Sequence, residues 1–197
     1  MSGTRRTGRR LAVSLSAALT ALTLLATVAA CTRSHDGKWF EYSSATAVGS
    51  LIPTGSRKPA EPISVPLLDG GDYTLASDLG NVVLLNFWAT WCGECARETP
   101  QLNALYHSHR SQAVSFVGVN LKDNKGAARS FAHDKGIDYP IAFDAMGRTL
   151  IKFGHIASAG MPVTVLIDKH GRVAAVYLGP RTQAELNPAL DNLLAEH

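Results

Sequence analysis

Val82-Val83-Leu84-Leu85-Asn86-Phe87-Trp88-Ala89-Thr90-Trp91-Cys92-Gly93-Glu94-Cys95 is an apolar run that ends on two cysteines two residues apart. Val82–Phe87 is continuously apolar except for Asn86, as expected of a strand covered on both faces of a parallel sheet. A helix is predicted after Cys92, with Leu102, Leu105 and Tyr106 on one face and a kink at Pro100. The cysteines thus stand where a strand ends and a helix begins. Only a thiolate attacks a disulfide, and a helix N-terminus stabilises a thiolate through unpaired N–H groups and the positive end of the dipole. A second thiol within reach can then close an internal disulfide and release whatever the first had attacked.

The chain has three cysteines, which excludes most other uses of the pair. A structural zinc site needs four ligands, and neither a second cysteine pair nor a suitably spaced histidine pair is present. Covalent haem attachment needs a histidine directly after the second cysteine, where this chain has Ala96. A static buried disulfide stays open as the plain alternative. Cys31 has a different setting: Arg5, Arg6, Arg9 and Arg10 precede an apolar run from Leu11 to Val28, and Ala29-Ala30 come directly before it. Val28-Ala29-Ala30-Cys31 resembles a bacterial lipobox, which implies a signal peptide over 1–30 and lipid attachment at Cys31. An uncleaved span is the alternative, since roughly 18–20 apolar residues cross a bilayer. The paired arginines are compatible with either Sec or twin-arginine export.

Four of the 19 basic side chains are those leader arginines, leaving 15 against 16 acidic ones. The mature chain is near neutral and has no basic, aromatic-interleaved stretch, so nothing points to nucleic acid. Residues 31–61 are rich in Ser, Gly, Pro, Thr and charge without periodicity and read as a flexible tether of roughly 30 Å r.m.s. reach. Trp39-Phe40-Glu41-Tyr42 interrupts it, either packing on the domain or touching the bilayer interface. Residues 62–197, with the chain at 46 % hydrophobic residues, suffice for one core.

Within that domain, Ile63–Leu67 and Tyr73–Leu75 flank Asp69-Gly70-Gly71-Asp72 and predict a hairpin. After the cysteine helix come a strand at Val114–Val119, a helix near Lys125–Lys135, a short strand near Ile141–Phe143 and a helical stretch around Arg148–Phe153. Val163–Ile167 and Val173–Tyr177, joined by Asp168-Lys169-His170-Gly171, predict a second hairpin. A terminal helix follows, with Leu186, Leu190, Leu193 and Leu194 inward. The pattern is α/β, one βαβ half and one hairpin half.

The Phe87–Cys95 motif after its strand, Gly160-Met161-Pro162 before Val163–Asp168, and the Asp168–Gly171 turn together resemble the membrane-tethered thioredoxin-like proteins of the TlpA/ResA type. The resemblance covers about 61–197. With leader and tether it extends to the CcsX-type proteins of cytochrome c biogenesis. It implies a thioredoxin-like α/β fold, a central mixed sheet flanked by helices, with an N-terminal β-hairpin and an extra βα insertion at Asn120–Phe143. It also implies that Cys92 attacks, that Cys95 resolves, and that the pair works without a further cofactor or metal.

Pro162 fits a cis peptide beside the cysteines, since cis X–Pro costs only about 0.5–1 kcal/mol, although an ordinary trans proline opening a strand is the alternative. Trp91, Met161 and Pro162 are then the expected substrate-binding residues, with the Met161 backbone pairing to an extended substrate. Cytosolic thioredoxin places a buried aspartate where this chain has Asn86, which cannot titrate. Glu98 matches the acidic residue of ResA-type proteins and is the expected proton acceptor for Cys95. It could instead serve only the helix dipole. Glu94 stands where many relatives have proline, and its charge would disfavour a nearby thiolate and lean the couple toward reduction.

The expected function is extracytoplasmic reduction of disulfides in membrane-proximal proteins such as apocytochrome c, by a lipid-anchored monomer recharged by a CcdA/DsbD-like membrane electron donor. A dithiol oxidase or isomerase shares the same motifs and differs in redox potential. A thiol peroxidase fits less well, since Asn86 replaces the proline expected four residues before Thr90. A non-enzymatic module for apocytochrome or haem handling would keep Cys92–Cys95 as a staple.

Overall fold

In chain order the elements are β1 (Ser64–Pro66), β2 (Asp72–Thr74), β3 (Val82–Trp88), α1 (Gly93–His109) and β4 (Val114–Leu121). There follow α2 (Lys125–Lys135), β5 (Ile141–Asp144), α3 (Arg148–Ile151), β6 (Val163–Ile167), β7 (Val173–Leu178) and α4 (Gln183–Ala195). The structure is a computed structural model that describes residues 37–43, 46–154, 156 and 160–196. The expected signal peptide, Cys31 and the first residues of the expected tether lie outside the described residues.

The five-stranded sheet runs β5-β4-β3-β6-β7, with β3 central. β4 is parallel to β3 and to β5, whereas β6 is antiparallel to β3 and to β7, so the sheet is mixed. All seven residues of β3 are buried because both faces are covered. Val83, Leu85 and Phe87 join Phe40, Tyr73, Leu150 and Phe153 on one face, and Phe87 meets Phe153 edge to face at 5.7 Å. Val82 and Leu84 join Leu102 and Leu105 of α1 and Leu186, Leu190 and Leu193 of α4 on the other. Burial of each such side chain contributes roughly 1.5–3 kcal/mol, which sets the hydrophobic run at the centre of the sheet.

The two hairpins form as the sequence predicts. The helix after Cys92 continues through Pro100 to His109 as one element. Asn120 and Leu121 belong to β4, so the insertion is α2 and β5 alone, with β5 at the sheet edge. Helix α2 is capped by the Asn124 side chain, which accepts from the N–H groups of Gly126 and Ala127, and stops at left-handed Gly136. Thr182 and Glu185 form a capping box on α4.

The expectation of a flexible tether to residue 61 needs correction over its described part, because that stretch packs on the domain. Gly49 N–H and Ile52 N–H donate to Val176 and Ala174 carbonyls at 2.9 and 2.7 Å. Val173 N–H donates to Lys58 C=O, and Ala60 N–H to Gly171 C=O. The segment thereby covers the outer edge of β7, whose backbone groups would otherwise be open to another strand. Phe40 is buried and Tyr42 N–H donates to Phe153 C=O at 2.9 Å, so the aromatic patch packs on the domain. Arg57 anchors the segment: it is buried, and its guanidinium reaches Asp168 at 3.2 Å and Glu196 at 2.6 Å. Irregular single bridges leave no periodicity, which is why a composition reading takes this stretch for coil.

Candidate active site

Cys92 is the N-cap of α1, and its sulfur accepts the Cys95 N–H at 3.1 Å. Cys95 lies one turn in, and the two are disulfide-bonded, with Cys92 8 % and Cys95 2 % exposed. The pair is therefore buried but for one edge of Cys92. The Met161–Pro162 peptide is cis, and Pro162 C=O accepts from Gly179 N–H at 2.9 Å. Cys92, Trp91 and Met161 line one groove of about 400 Å³ together with Lys122, Gly147 and Ile151. Trp91 and Ile151 are both exposed, which gives the groove apolar rims. Gly147 has φ +68, a left-handed conformation that side-chain-bearing residues rarely adopt, which accounts for glycine at this point of the wall.

Behind the cysteines lies Glu98, 2 % exposed. One carboxylate oxygen accepts from Asn86 Nδ2 at 2.8 Å, and the other from Arg181 N–H at 2.9 Å. Asn86 also donates to Thr164 Oγ1 at 3.2 Å, its cross-strand neighbour on β6. Burial pushes Glu98 from 4.5 up to about 7, against the opposing pull of the Arg181 and Asn86 hydrogen bonds. A carboxyl group near 7 exchanges protons readily at neutral pH.

Glu94, in contrast, is half-exposed and pairs with Arg97 one turn on. Solvent and that partner both weaken its effect on the thiols, so the sequence-based lean toward reduction loses most of its support from this residue.

The redoxin family model matches residues 47–194. The chain belongs to the redoxin family. Within it, the chain is 32 % identical over 155 residues to thiol-disulfide oxidoreductase ResA of Geobacillus thermodenitrificans, a match covering 79 % of this chain and 83 % of that one. The ResA of Bacillus anthracis is 31 % identical over 136 residues, 69 % of this chain and 77 % of the relative. Among solved structures, a DsbF homologue from Corynebacterium diphtheriae superposes with TM-score 0.72 at 30 % identity, covering 79 % of this chain and 99 % of that one. A secreted thiol-disulfide isomerase from Corynebacterium glutamicum gives 0.74 at 26 %, with coverage of 80 % and 98 %. This redoxin is a thiol-disulfide oxidoreductase of the ResA/DsbE type with a thioredoxin-like fold.

Every described residue singled out from the sequence falls in or behind the groove: Trp91, Cys92 and Met161 line it, Cys95 and Glu98 lie beneath the pair on α1, and cis-Pro162 follows Met161. Cys31 lies outside the described residues. Four contributors escape the sequence reading. Arg181 acts through its backbone N–H, which any residue carries. Thr164 is an unremarked strand residue. Gly118 stands beside Asn86 on β4, where a Cβ would come 2.9 Å from Trp88 Nε1 and 3.2 Å from Tyr139. Asp123 binds the loop before the cysteines. The Asp123-Asn124 pair ahead of α2 is a helix-start signal, the one local hint of an acceptor at that turn.

Proposed function

We propose that this oxidoreductase works outside the cytoplasm as a lipid-anchored disulfide reductase for membrane-proximal proteins, apocytochrome c among them. Glu98 carries the reading: a buried carboxyl pushed up to about 7, tied to Asn86 and Arg181, on the same helix one turn past Cys95. The Cys92 thiolate attacks one sulfur of a substrate disulfide and forms a mixed disulfide, releasing the other substrate sulfur as thiolate. The Cys95 thiol gives its proton to the Glu98 carboxylate. The Cys95 thiolate then displaces the second substrate sulfur and closes the Cys92–Cys95 disulfide. The substrate gains two electrons and the protein loses two, which a membrane donor of the CcdA/DsbD class restores.

The groove supports an extended substrate segment laid along Met161 and cis-Pro162, its cysteine facing Cys92 and its apolar neighbours against Trp91 and Ile151. The lipobox-like Val28–Cys31 supports a membrane address, and the secreted C. glutamicum neighbour supports an extracytoplasmic one. That same neighbour, a secreted thiol-disulfide isomerase, favours a second reading in which the pair reshuffles or forms disulfides.

Reduction of an insulin or apocytochrome disulfide peptide by the full chain, with Cys92→Ser as control, tests the enzymatic reading. Equal product from wild type and Cys92→Ser would end it. The equilibrium potential separates the directions: a strongly oxidising pair, around −120 mV, would refute the reductase.

A further inference from the structure

Strand β3 ends at Trp88, so the next residues have no ladder to hold them. They are held from the turn that follows β4 instead. Thr90 N–H and Thr90 Oγ1 both donate to the Asp123 carboxylate, at 2.6 and 2.8 Å. Asn120 Nδ2 donates to the same group at 3.0 Å and Asn124 N–H at 2.8 Å, so four donors from three positions converge on it. The adjacent Lys122 C=O accepts the Trp91 indole N–H at 3.2 Å. Both residues preceding Cys92 are therefore tied to the 122–123 turn. That turn is in turn fixed to β5: Lys122 N–H donates to Asp144 C=O, and the Asp144 carboxylate accepts from Met146 and Thr149 N–H.

We propose that Asp123 is a positioning residue for thiol exchange, holding the Thr90–Trp91 turn so that Cys92 faces the groove and setting the acidity of Cys92 through its fixed negative charge. The inference rests on Cys92 being the attacking thiol. Burial alone would raise the Asp123 carboxyl, but the hydrogen bonds from Thr90, Asn120 and Asn124 outweigh it and keep the group below its ordinary range, hence ionised. Of the other charged side chains, Glu94 and Lys122 line the groove with Cys92, Arg97 pairs with Glu94, and Glu98 lies on α1 within the field of Arg181. Glu94 is half-exposed and paired with Arg97, and burial pushes Glu98 up to about 7, so neither carries a fixed, unscreened charge at neutral pH. Asp123, by contrast, is an ionised carboxylate hydrogen-bonded directly to the loop that leads into Cys92. Its carboxylate is hydrogen-bonded to Thr90, two residues before Cys92, and at a separation on the order of 10 Å an effective dielectric constant near 20, with further screening by solvent, gives a severalfold to tenfold effect on acidity. Since a stabilised thiolate makes a couple more oxidising, this carboxylate holds the pair toward the reducing side.

The test uses the full chain and its Asp123→Asn and Thr90→Val variants. Two quantities are read: the Cys92 pKa by ultraviolet thiolate absorbance, taken as the difference from Cys92→Ser, and the equilibrium constant for disulfide plus two glutathione giving dithiol plus glutathione disulfide. Asp123→Asn removes the charge and, because its NH2 cannot accept, the two hydrogen bonds on one oxygen, so it should lower the Cys92 pKa by about one unit and, read at a pH above that pKa, raise that constant severalfold. Thr90→Val keeps the charge and loosens the turn, so it should slow mixed-disulfide formation severalfold with the Cys92 pKa unchanged. An Asp123→Asn protein that differs only in melting temperature, with pKa and equilibrium constant within twofold of wild type, overturns the proposal. If that variant does not fold, an unaltered attack rate in Thr90→Val overturns it. Trapping checks the attacking assignment independently: Cys95→Ser should hold a substrate on Cys92, and a stable mixed disulfide formed by Cys92→Ser but not by Cys95→Ser would remove that assignment.

Discussion

Replacing Glu98 by Gln separates the buried proton acceptor from its surroundings, because stability and rate should move in opposite directions. The folded-state value is about 7, against 4.5 ordinarily. Below pH 4.5 folded and unfolded chains both hold the proton, and the group costs nothing. Between 4.5 and about 7 the unfolded chain ionises first, so the folded state loses stability as pH rises, and above about 7 the full cost is present. At about 1.4 kcal/mol per pH unit that cost is roughly 3 kcal/mol. Gln is never ionised and avoids it. Its amide still accepts from Arg181 N–H, but its NH2 group meets Asn86 Nδ2, so the Asn86 amide must turn over, giving back about 1 kcal/mol. The variant should therefore be more stable than wild type by about 2 kcal/mol at pH 8 and no more stable at pH 4, read from urea midpoints. Its resolving step, followed by quenched single turnover from a preformed mixed disulfide, should fall about a hundredfold at pH 8. The wild-type rate should rise through pH 7 as Glu98 ionises, and the variant should lose that inflection. A Glu98→Gln protein that is less stable at pH 8, or that keeps the inflection, refutes the assignment of Glu98 as a strained, titrating acceptor.

Asn86→Asp sets a second carboxylate about where Nδ2 now lies, 2.8 Å from Glu98. The two should share one proton, moving the inflection of the pH–rate profile upward by at least about one unit, and an unmoved inflection would count against the contact. Arg57→Ala leaves buried Asp168 with Arg172 as its one charged partner among the described residues and frees Glu196, so urea unfolding should show a loss of about 3 kcal/mol while the folded fraction keeps its insulin-reduction rate. Gly118→Ala drives a methyl group against Trp88 and Tyr139, which should cost about 1–3 kcal/mol in urea and blue-shift or broaden the tryptophan emission.

Much of the site was legible from local pattern. Trp91, Cys92, Cys95, Glu98, Met161 and Pro162 lie in two short runs, each joined to an apolar strand, and a helix start brings Cys92, Cys95 and Glu98 onto adjoining turns. What was not legible lies far away along the chain. Asp123 is 33 residues from Thr90, Arg181 is 83 from Glu98, and Arg57 is 111 from Asp168. A backbone N–H such as that of Arg181 has no signature in the letters at all, and a missing Cβ at Gly118 has meaning only once Trp88 lies against it.

By itself, then, the sequence determined the strand–dithiol–helix junction, the two hairpins, the flanking helices and the family, because each depends on side-chain period and spacing within a few residues. Only the tertiary structure decided that the described residues between 37 and 61 pack on the domain rather than forming a tether, that Glu94 pairs with Arg97, and that the cysteine loop hangs from Asp123. The physical reason is the same in each case. Burial and hydrogen bonding between distant segments set the electrostatics of a site, and neither quantity exists until the chain has closed on itself.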